Sequence, residues 1–306
     1  MARILITRPL PGDAPQKLEA AGHEVTVLPG PMPPGREELE GALQDAEGLL
    51  CLLTDPVDAG VIGTAPAQRA IANCAVGTDN VDLDAAASRD IPVGVTPDVL
   101  TDATADLAMA LLLAAARRLP EAERDAREGR WRTWEPAGWL GLELRGARLL
   151  VVGPGRIGSA VAERARAFGM EVQTAGRDDD LLALLPDADI VSLHCPLTEA
   201  TRGLIGEAEL AAMKHTAILV NTSRGAVVDQ PALVRALETG EIGAAALDVT
   251  DPEPPAPDDP ILSAPNCIVL PHIGSATTRV RSQMASLSAD NLIAALDGDP
   301  MPYPAR

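Results

Sequence analysis

Short apolar runs alternate with helical patterns along the whole chain. Residues 3–7 (RILIT), 23–28 (HEVTVL) and 48–53 (GLLCLL) are too short for helices and rich in branched side chains, so they predict strands. Helical periodicity lies near 13–21, 36–44 and 84–89. The pattern restarts after residue 146 with 147–152 (ARLLVV), 170–175 (MEVQTA), 189–194 (DIVSLH), 217–221 (AILVN), 244–249 (AAALDV) and 267–270 (CIVL). Two longer helices are predicted, at about 101–118 with Thr101 or Asp102 at its cap, and at about 276–296. Strands alternating with helices predict parallel sheets with crossover helices. The expected fold is α/β: two Rossmann-like or flavodoxin-like parallel-sheet domains with a cleft between them. One domain is discontinuous, 1–98 plus 285–306, and the other spans 99–284.

Composition narrows the class. The chain has 306 residues, enough for two cores, with 46% hydrophobic and 23% charged residues. A net charge of −19 repels phosphate backbones and anionic lipid, so nucleic acid and membranes are not expected partners. The N-terminal run MARILITRPL is too short for a signal segment, and no apolar stretch reaches the length of a membrane span. Cys51, Cys74, Cys195 and Cys267 lie far apart without a Cys-x-x-Cys spacing, which argues against a metal site or a disulfide framework and for a reducing, cytoplasmic setting.

One loop carries a phosphate signature. Gly153, Gly155 and Gly158 stand in Gly-x-Gly-x-x-Gly spacing between an apolar strand and a helical pattern. Gly153 permits the tight turn, Gly155 lets backbone approach a pyrophosphate, and Gly158 lets the helix pack on the strand. The helix opens at Arg156 and Ile157, whose end of the helix offers N–H groups and partial positive charge to the phosphates. Pro154 removes one donor from this loop. About twenty residues on, where an acid would bind a ribose 2′-hydroxyl, the strand ends in Ala175, Gly176 and Arg177. An arginine there can pair with a 2′-phosphate, which favours NADP(H) over NAD(H). Asp178, Asp179 and Asp180 pull the other way electrostatically, although their position suits the start of the next helix.

Three chemistry-bearing residues follow three successive strands. Arg224 lies in NTSRG, Glu253 in LDVTDPEP and His272 in PHIGSAT. In open α/β sheets, ligands bind at the carboxyl ends of strands, where all three and the glycine loop emerge. A guanidinium can hold a carboxylate by two hydrogen bonds. An imidazolium can protonate a carbonyl oxygen, and a carboxylate on its other nitrogen fixes the tautomer. Taken singly, Arg224 can be a loop tie, Glu253 a solvated turn residue and His272 a satisfied core group.

The stretches CAVGTDNVDLDAA, VTPDVLTDATADLAMALLLAAARR, VVGPGRIGSAVA, HCPLTEATRGLI, VNTSRGAVVDQPAL, ALDVTDPEPP and LPHIGSAT, in this order, resemble the D-2-hydroxyacid dehydrogenase family over nearly the whole chain. CLLTDPVD, the GRW segment at 129–131 and SADNLIAALDGDPMP are most similar to its glyoxylate/hydroxypyruvate reductase branch. The resemblance implies reversible hydride transfer between a nicotinamide and a small 2-keto acid such as glyoxylate or hydroxypyruvate, giving the D-2-hydroxy acid. It implies Arg224 as carboxylate binder, Glu253 as partner of the histidine and His272 as acid/base, with Val76 and Gly77 offering backbone N–H groups to the substrate. It implies Thr104, Asp248 and Gly274 at the nicotinamide end and Pro196, Thr201, Thr222 and Ser223 along the rest of the cofactor. It assigns the 1–98 domain to the substrate and the 99–284 domain to the dinucleotide, and implies a homodimer built through the latter. Trp131, Trp134 and Trp139, all the tryptophans, fall within nine residues and suit a subunit contact. The same fold and site also suit phosphite, formate or a bulkier keto acid, or a non-enzymatic dinucleotide-sensing scaffold.

Overall fold

The structure, a computed structural model, describes residues 1–305. It divides into two compact units, Met1–Leu100 with the segment from Ala276 onward, and Thr101–Ser275. The chain returns to the first unit at Ala276 rather than at 285. The helix Thr278–Asp297 already buries Val280 and Met284, and Thr277 caps it by accepting from the Val280 N–H at 3.2 Å.

The first unit is a five-stranded parallel sheet. Its strands β1 (Arg3–Ile6), β2 (Glu24–Val27), β3 (Gly48–Cys51), β4 (Ala70–Asn73) and β5 (Val93–Gly94) lie in the order β2-β1-β3-β4-β5. The β3 residues are buried throughout, which explains their unbroken apolar sequence. The strand β4 is also buried throughout, yet its sequence AIAN carries little strand propensity and does not announce itself.

The second unit is a six-stranded parallel sheet of β6 (Arg148–Val152), β7 (Glu171–Ala175), β8 (Ile190–Leu193), β9 (Ile218–Asn221), β10 (Ala244–Leu247) and β11 (Cys267–Val269), ordered β11-β10-β9-β8-β6-β7. Alternate residues face opposite layers. Leu149, Val151, Ile190, Val220 and Ala246 share a core with the helices Thr101–Ala116 and Arg156–Ala167. Leu150, Val152, Leu193, Leu219 and Leu247 pack with the helix Gln230–Thr239 and the loops before it. The acid that interrupts the first of these helices, Asp106, accepts from Arg164 Nε at 2.7 Å. That helix stops at Ala116, short of the expected 118, and Arg118 enters left-handed backbone at φ 53° to start a further helix, Leu119–Arg127, that sequence periodicity did not predict. The strand order reverses between β6 and β8, so the loops after these strands diverge at a switch point, where α/β sheets bind ligands.

Candidate active site

The glycine turn sits at that switch point. Gly153 has φ +88°, and a Cβ there would lie 2.6 Å from the Cys195 backbone N, so the turn presses against the loop after β8. A Cβ on Gly158 would lie 2.3 Å from Gly153 O, which leaves no room for a side chain between helix and strand. At Gly155 a Cβ would meet no atom within 4 Å. Gly155 is the residue before the helix Arg156–Ala167, and among the described residues no side chain caps that helix. An uncapped, twelve-residue helix opening beside unfilled space is the arrangement a pyrophosphate needs. Pro154 keeps its carbonyl in use, accepting from Ser159 Oγ at 3.2 Å.

At the tip of β7, Arg177 is exposed. Two of the three following acids make local hydrogen bonds. Asp179 Oδ2 accepts from the Gly176 N–H at 2.7 Å, and Asp180 caps the helix Leu181–Leu184. After β8, Thr201 Oγ1 donates to Pro196 O at 2.6 Å, which closes the 196–201 loop. His194 lies between Ser192 Oγ (2.8 Å from Nε2) and Thr222 Oγ1 (3.4 Å from Nδ1). Burial pushes its pKa down to about 4, so the ring is neutral.

The loops after β9, β10 and β11 are built onto one another. Asn221 Oδ1 accepts from the Ser223 N–H at 2.9 Å and from Ser223 Oγ at 2.8 Å, and Asn221 Nδ2 donates to Arg224 O at 2.9 Å. Arg224 Nη1 donates to Ser223 O at 2.9 Å. A Cβ on Gly225 would lie 1.9 Å from Thr250 O, so only glycine lets the Arg224 turn seat against the loop that leads to Glu253. Gln230 steadies that loop, its Oε1 accepting from the Asp251 N–H at 3.0 Å.

Asp248, 1% exposed, organises the histidine turn. Its Oδ1 accepts from the Ile273 N–H at 2.7 Å and its Oδ2 from the Gly274 N–H at 2.8 Å, while the His272 N–H donates to Asp248 O at 2.9 Å. Burial raises the Asp248 pKa, and the two N–H donors oppose that shift. Gly274 also abuts Thr104, whose Oγ1 would lie 3.3 Å from a Cβ there. His272 itself takes φ 52°, a conformation uncommon outside glycine and frequent at functional turns. Its Nδ1 lies 2.5 Å from Glu253 Oε1, and the two side chains are 22% and 28% exposed. The carboxylate thus engages one of the two ring nitrogens, Nδ1, and so fixes the ring's tautomer.

The structure therefore joins Arg224, Glu253, His272, Asp248 and Gly274 through adjoining loops of one sheet edge, with Thr104, in the first turn of the helix Thr101–Ala116, against Gly274. Val76 and Gly77 lie in the other unit, in the turn after β4. Sequence reasoning passed over Asn221, Gln230 and His194. Gln230 opens the helix Gln230–Thr239, and only its buried amide beside Asp251 marks it out.

A family model for the NAD-binding domain of D-isomer specific 2-hydroxyacid dehydrogenases matches residues 109–274. Among similar proteins, glyoxylate reductase of Korarchaeum cryptofilum is 46% identical over 97% of this chain and 93% of its own length. Human glyoxylate reductase/hydroxypyruvate reductase is 41% identical over 99% of this chain and 97% of its own. A crystal structure of a Thermus thermophilus protein, 48% identical, superposes with a TM-score of 0.94 over 99% of this chain and all of that one. The NADPH-dependent glyoxylate/hydroxypyruvate reductase of Sinorhizobium meliloti, solved with NADP and malonate, is 32% identical with a TM-score of 0.85, covering 99% and 96% of the two chains. With its glycine turn suited to a nicotinamide dinucleotide and relatives matched from end to end, the chain belongs to the D-isomer specific 2-hydroxyacid dehydrogenase family.

Proposed function

We propose that the chain reduces a small 2-keto acid, glyoxylate or hydroxypyruvate, to the D-2-hydroxy acid, and that it favours NADP(H) over NAD(H). The observation that carries this reading is the 2.5 Å contact between Glu253 and His272 Nδ1, on a turn that Asp248 holds at three backbone N–H groups. Hydride comes from the reduced nicotinamide when that group is bound. His272 Nε2 gives its proton to the carbonyl oxygen as the alkoxide forms, and Glu253 stabilises the charged ring before the transfer. Arg224 orients the substrate carboxylate, with the Val76 and Gly77 N–H groups as further donors. The backbone at Gly153, Gly155, Arg156, Ile157 and Gly158 holds the pyrophosphate. Pro196, Thr201, Thr222 and Ser223 line the remainder of the dinucleotide, and Thr104, Asp248 and Gly274 the nicotinamide end. The unit built on the six-stranded sheet is accordingly the dinucleotide domain and the other the substrate domain.

Arg177 supports the NADP(H) preference, because two of the neighbouring acids are occupied by local hydrogen bonds and the guanidinium is exposed. The NADPH dependence of the Sinorhizobium meliloti relative points the same way. A homodimer is proposed from the exposed Trp131 and Trp134, and a cytoplasmic setting from the four free thiols. Among the described residues, no helix is long and apolar enough to cross a membrane.

The test is nicotinamide absorbance loss, crossing NADPH and NADH with glyoxylate, hydroxypyruvate and pyruvate, with His272→Ala as control. Turnover of glyoxylate or hydroxypyruvate that the variant lacks is the expected result. In Arg177→Ala the NADPH:NADH ratio of kcat/KM should fall by about tenfold or more. Absence of turnover with every pair would overturn the reading.

A further inference from the structure

The five-stranded sheet carries a polar construction of its own at the carboxyl ends of β1, β3 and β4. Asn80 Nδ2 donates to Leu52 O at 3.0 Å and to Asp55 O at 3.1 Å. Asn80 Oδ1 accepts at 2.9 Å from Asn73 Nδ2, which also donates to Gly77 O at 2.9 Å. Asn73, the last residue of β4, is fully buried. Asp55, fully buried too, anchors the far side. Its carboxylate accepts from the Leu52 N–H at 2.7 Å, from Thr7 Oγ1 at 2.5 Å and from Arg8 Nη2 at 3.0 Å.

The buried side chains of Asn73 and Asp55 resist rearrangement, since breaking their hydrogen bonds would strand desolvated polar groups. The segment this network encloses is the turn Cys74–Gly77. Among the described residues, neither the Val76 nor the Gly77 N–H finds an acceptor in the chain, and Val76 is 41% exposed. Two successive backbone donors without partners, fixed by such a network, form a concavity suited to an anion.

We propose that Asn73 and Asn80 are positioning residues for keto-acid reduction. Their paired carboxamides hold the turn so that the Val76 and Gly77 N–H groups stand preformed for a carboxylate. The proposal rests on the assignment of those two N–H groups to the substrate. Without the pair, the turn must order anew each time substrate binds. That cost weighs equally on the bound ground state and the transition state, so it enters KM and not kcat.

Asn80→Ala and Asn73→Ala test this, with Asn80→Ser and Asn73→Ser, which keep a hydroxyl, where alanine prevents folding. The expected result is a KM for glyoxylate raised about tenfold or more, with kcat within about threefold and the KM for NADPH within about twofold. A purely structural role would lower the melting temperature and the active fraction and leave KM unmoved; a folded variant with unchanged KM overturns the proposal. A second readout is independent of turnover. On titrating the NADP-bound protein with oxalate, the Val76 and Gly77 amide NMR signals should shift in the wild type and need about tenfold more oxalate in Asn80→Ala. Equal titration of both proteins, or no shift in the wild type, overturns the proposal. Failure of the keto-acid reading would instead show as no turnover by the wild type, and the oxalate comparison would still decide the role of the pair.

Discussion

Glu253 Oε1 and His272 Nδ1 lie 2.5 Å apart although nineteen residues separate them in the chain. The contact exists because Asp248 O and both Asp248 carboxylate oxygens draw the His272–Gly274 backbone onto the end of β10, where the Glu253 loop begins. With its turn held by three backbone hydrogen bonds and its Nδ1 fixed on Glu253, the ring has its direction set before substrate arrives.

Removing the ring or its partner should therefore separate two effects. In His272→Asn the proton donor is gone, and kcat for keto-acid reduction should fall by about 10²-fold or more. Glu253→Gln keeps a side chain able to bond Nδ1 but loses the charge, so a loss of about tenfold or more is expected, with NADPH affinity unchanged. Single-turnover absorbance decay and cofactor fluorescence titration measure the two quantities. Equal kcat for Glu253→Gln and wild type would refute the pairing.

Gly225→Ala introduces a Cβ 1.9 Å from Thr250 O, and backbone rather than a flexible side chain must yield. The variant should lose roughly 1–3 kcal/mol of stability in denaturant unfolding. Its kcat/KM should fall further than the stability loss explains, because the turn bearing Arg224 moves away from the loop bearing Glu253. A variant of wild-type activity would show that this seating has no part in the reaction.

The glycines of the phosphate turn should behave differently from one another. Gly158→Ala sets a Cβ 2.3 Å from Gly153 O and should destabilise the fold by roughly 1–3 kcal/mol. At Gly155 the space is open, so Gly155→Ala should fold with near wild-type stability and bind NADPH at least about tenfold more weakly. Thermal melts with and without NADPH distinguish the two, and undiminished affinity in Gly155→Ala would contradict the phosphate assignment.

His194 predicts a pH dependence of stability. Burial lowers its folded pKa to about 4, below the ordinary histidine value. Between these values the unfolded chain binds the proton that the folded chain refuses. Stability is therefore constant from this source above about pH 6.5 and declines as pH falls toward 4, by on the order of 3 kcal/mol. In His194→Asn the slope of melting temperature against pH over this window should become shallower. An unchanged slope would mean that other groups carry the acid sensitivity.

The tryptophan segment predicts a solution property. Trp131 and Trp134 are 75% and 81% exposed, and Trp139 stacks beneath the Arg118 guanidinium, 4.8 Å from the ring centroid. Light scattering should report a dimer for the wild type and a shift toward monomer for Trp131→Ala/Trp134→Ala and for Trp139→Ala. A monomeric wild type, or variants that stay dimeric, would remove this segment from the interface.

Local information sufficed for much of this protein. The apolar runs that became β1, β3, β6 and β9 are strands because residues buried on both faces of a parallel sheet must be apolar throughout. Gly153, Gly155 and Gly158 are legible because backbone geometry demands them at short spacing. The placing of Arg224, Glu253 and His272 after successive strands also follows from the sequence, since parallel strands send their carboxyl ends to one edge. Tertiary structure decided the rest. It made AIAN a central strand by pairing it between two neighbours, against its weak propensity. It put the switch point between β6 and β8, turned Asp248 into the anchor of the histidine turn, made Gly225 obligatory against Thr250, and joined Asn73 and Asn80 in one network. Each of these depends on atoms distant in sequence meeting within a few ångströms. Periodicity and spacing describe only what a residue's own neighbours permit, so such meetings are set by packing alone.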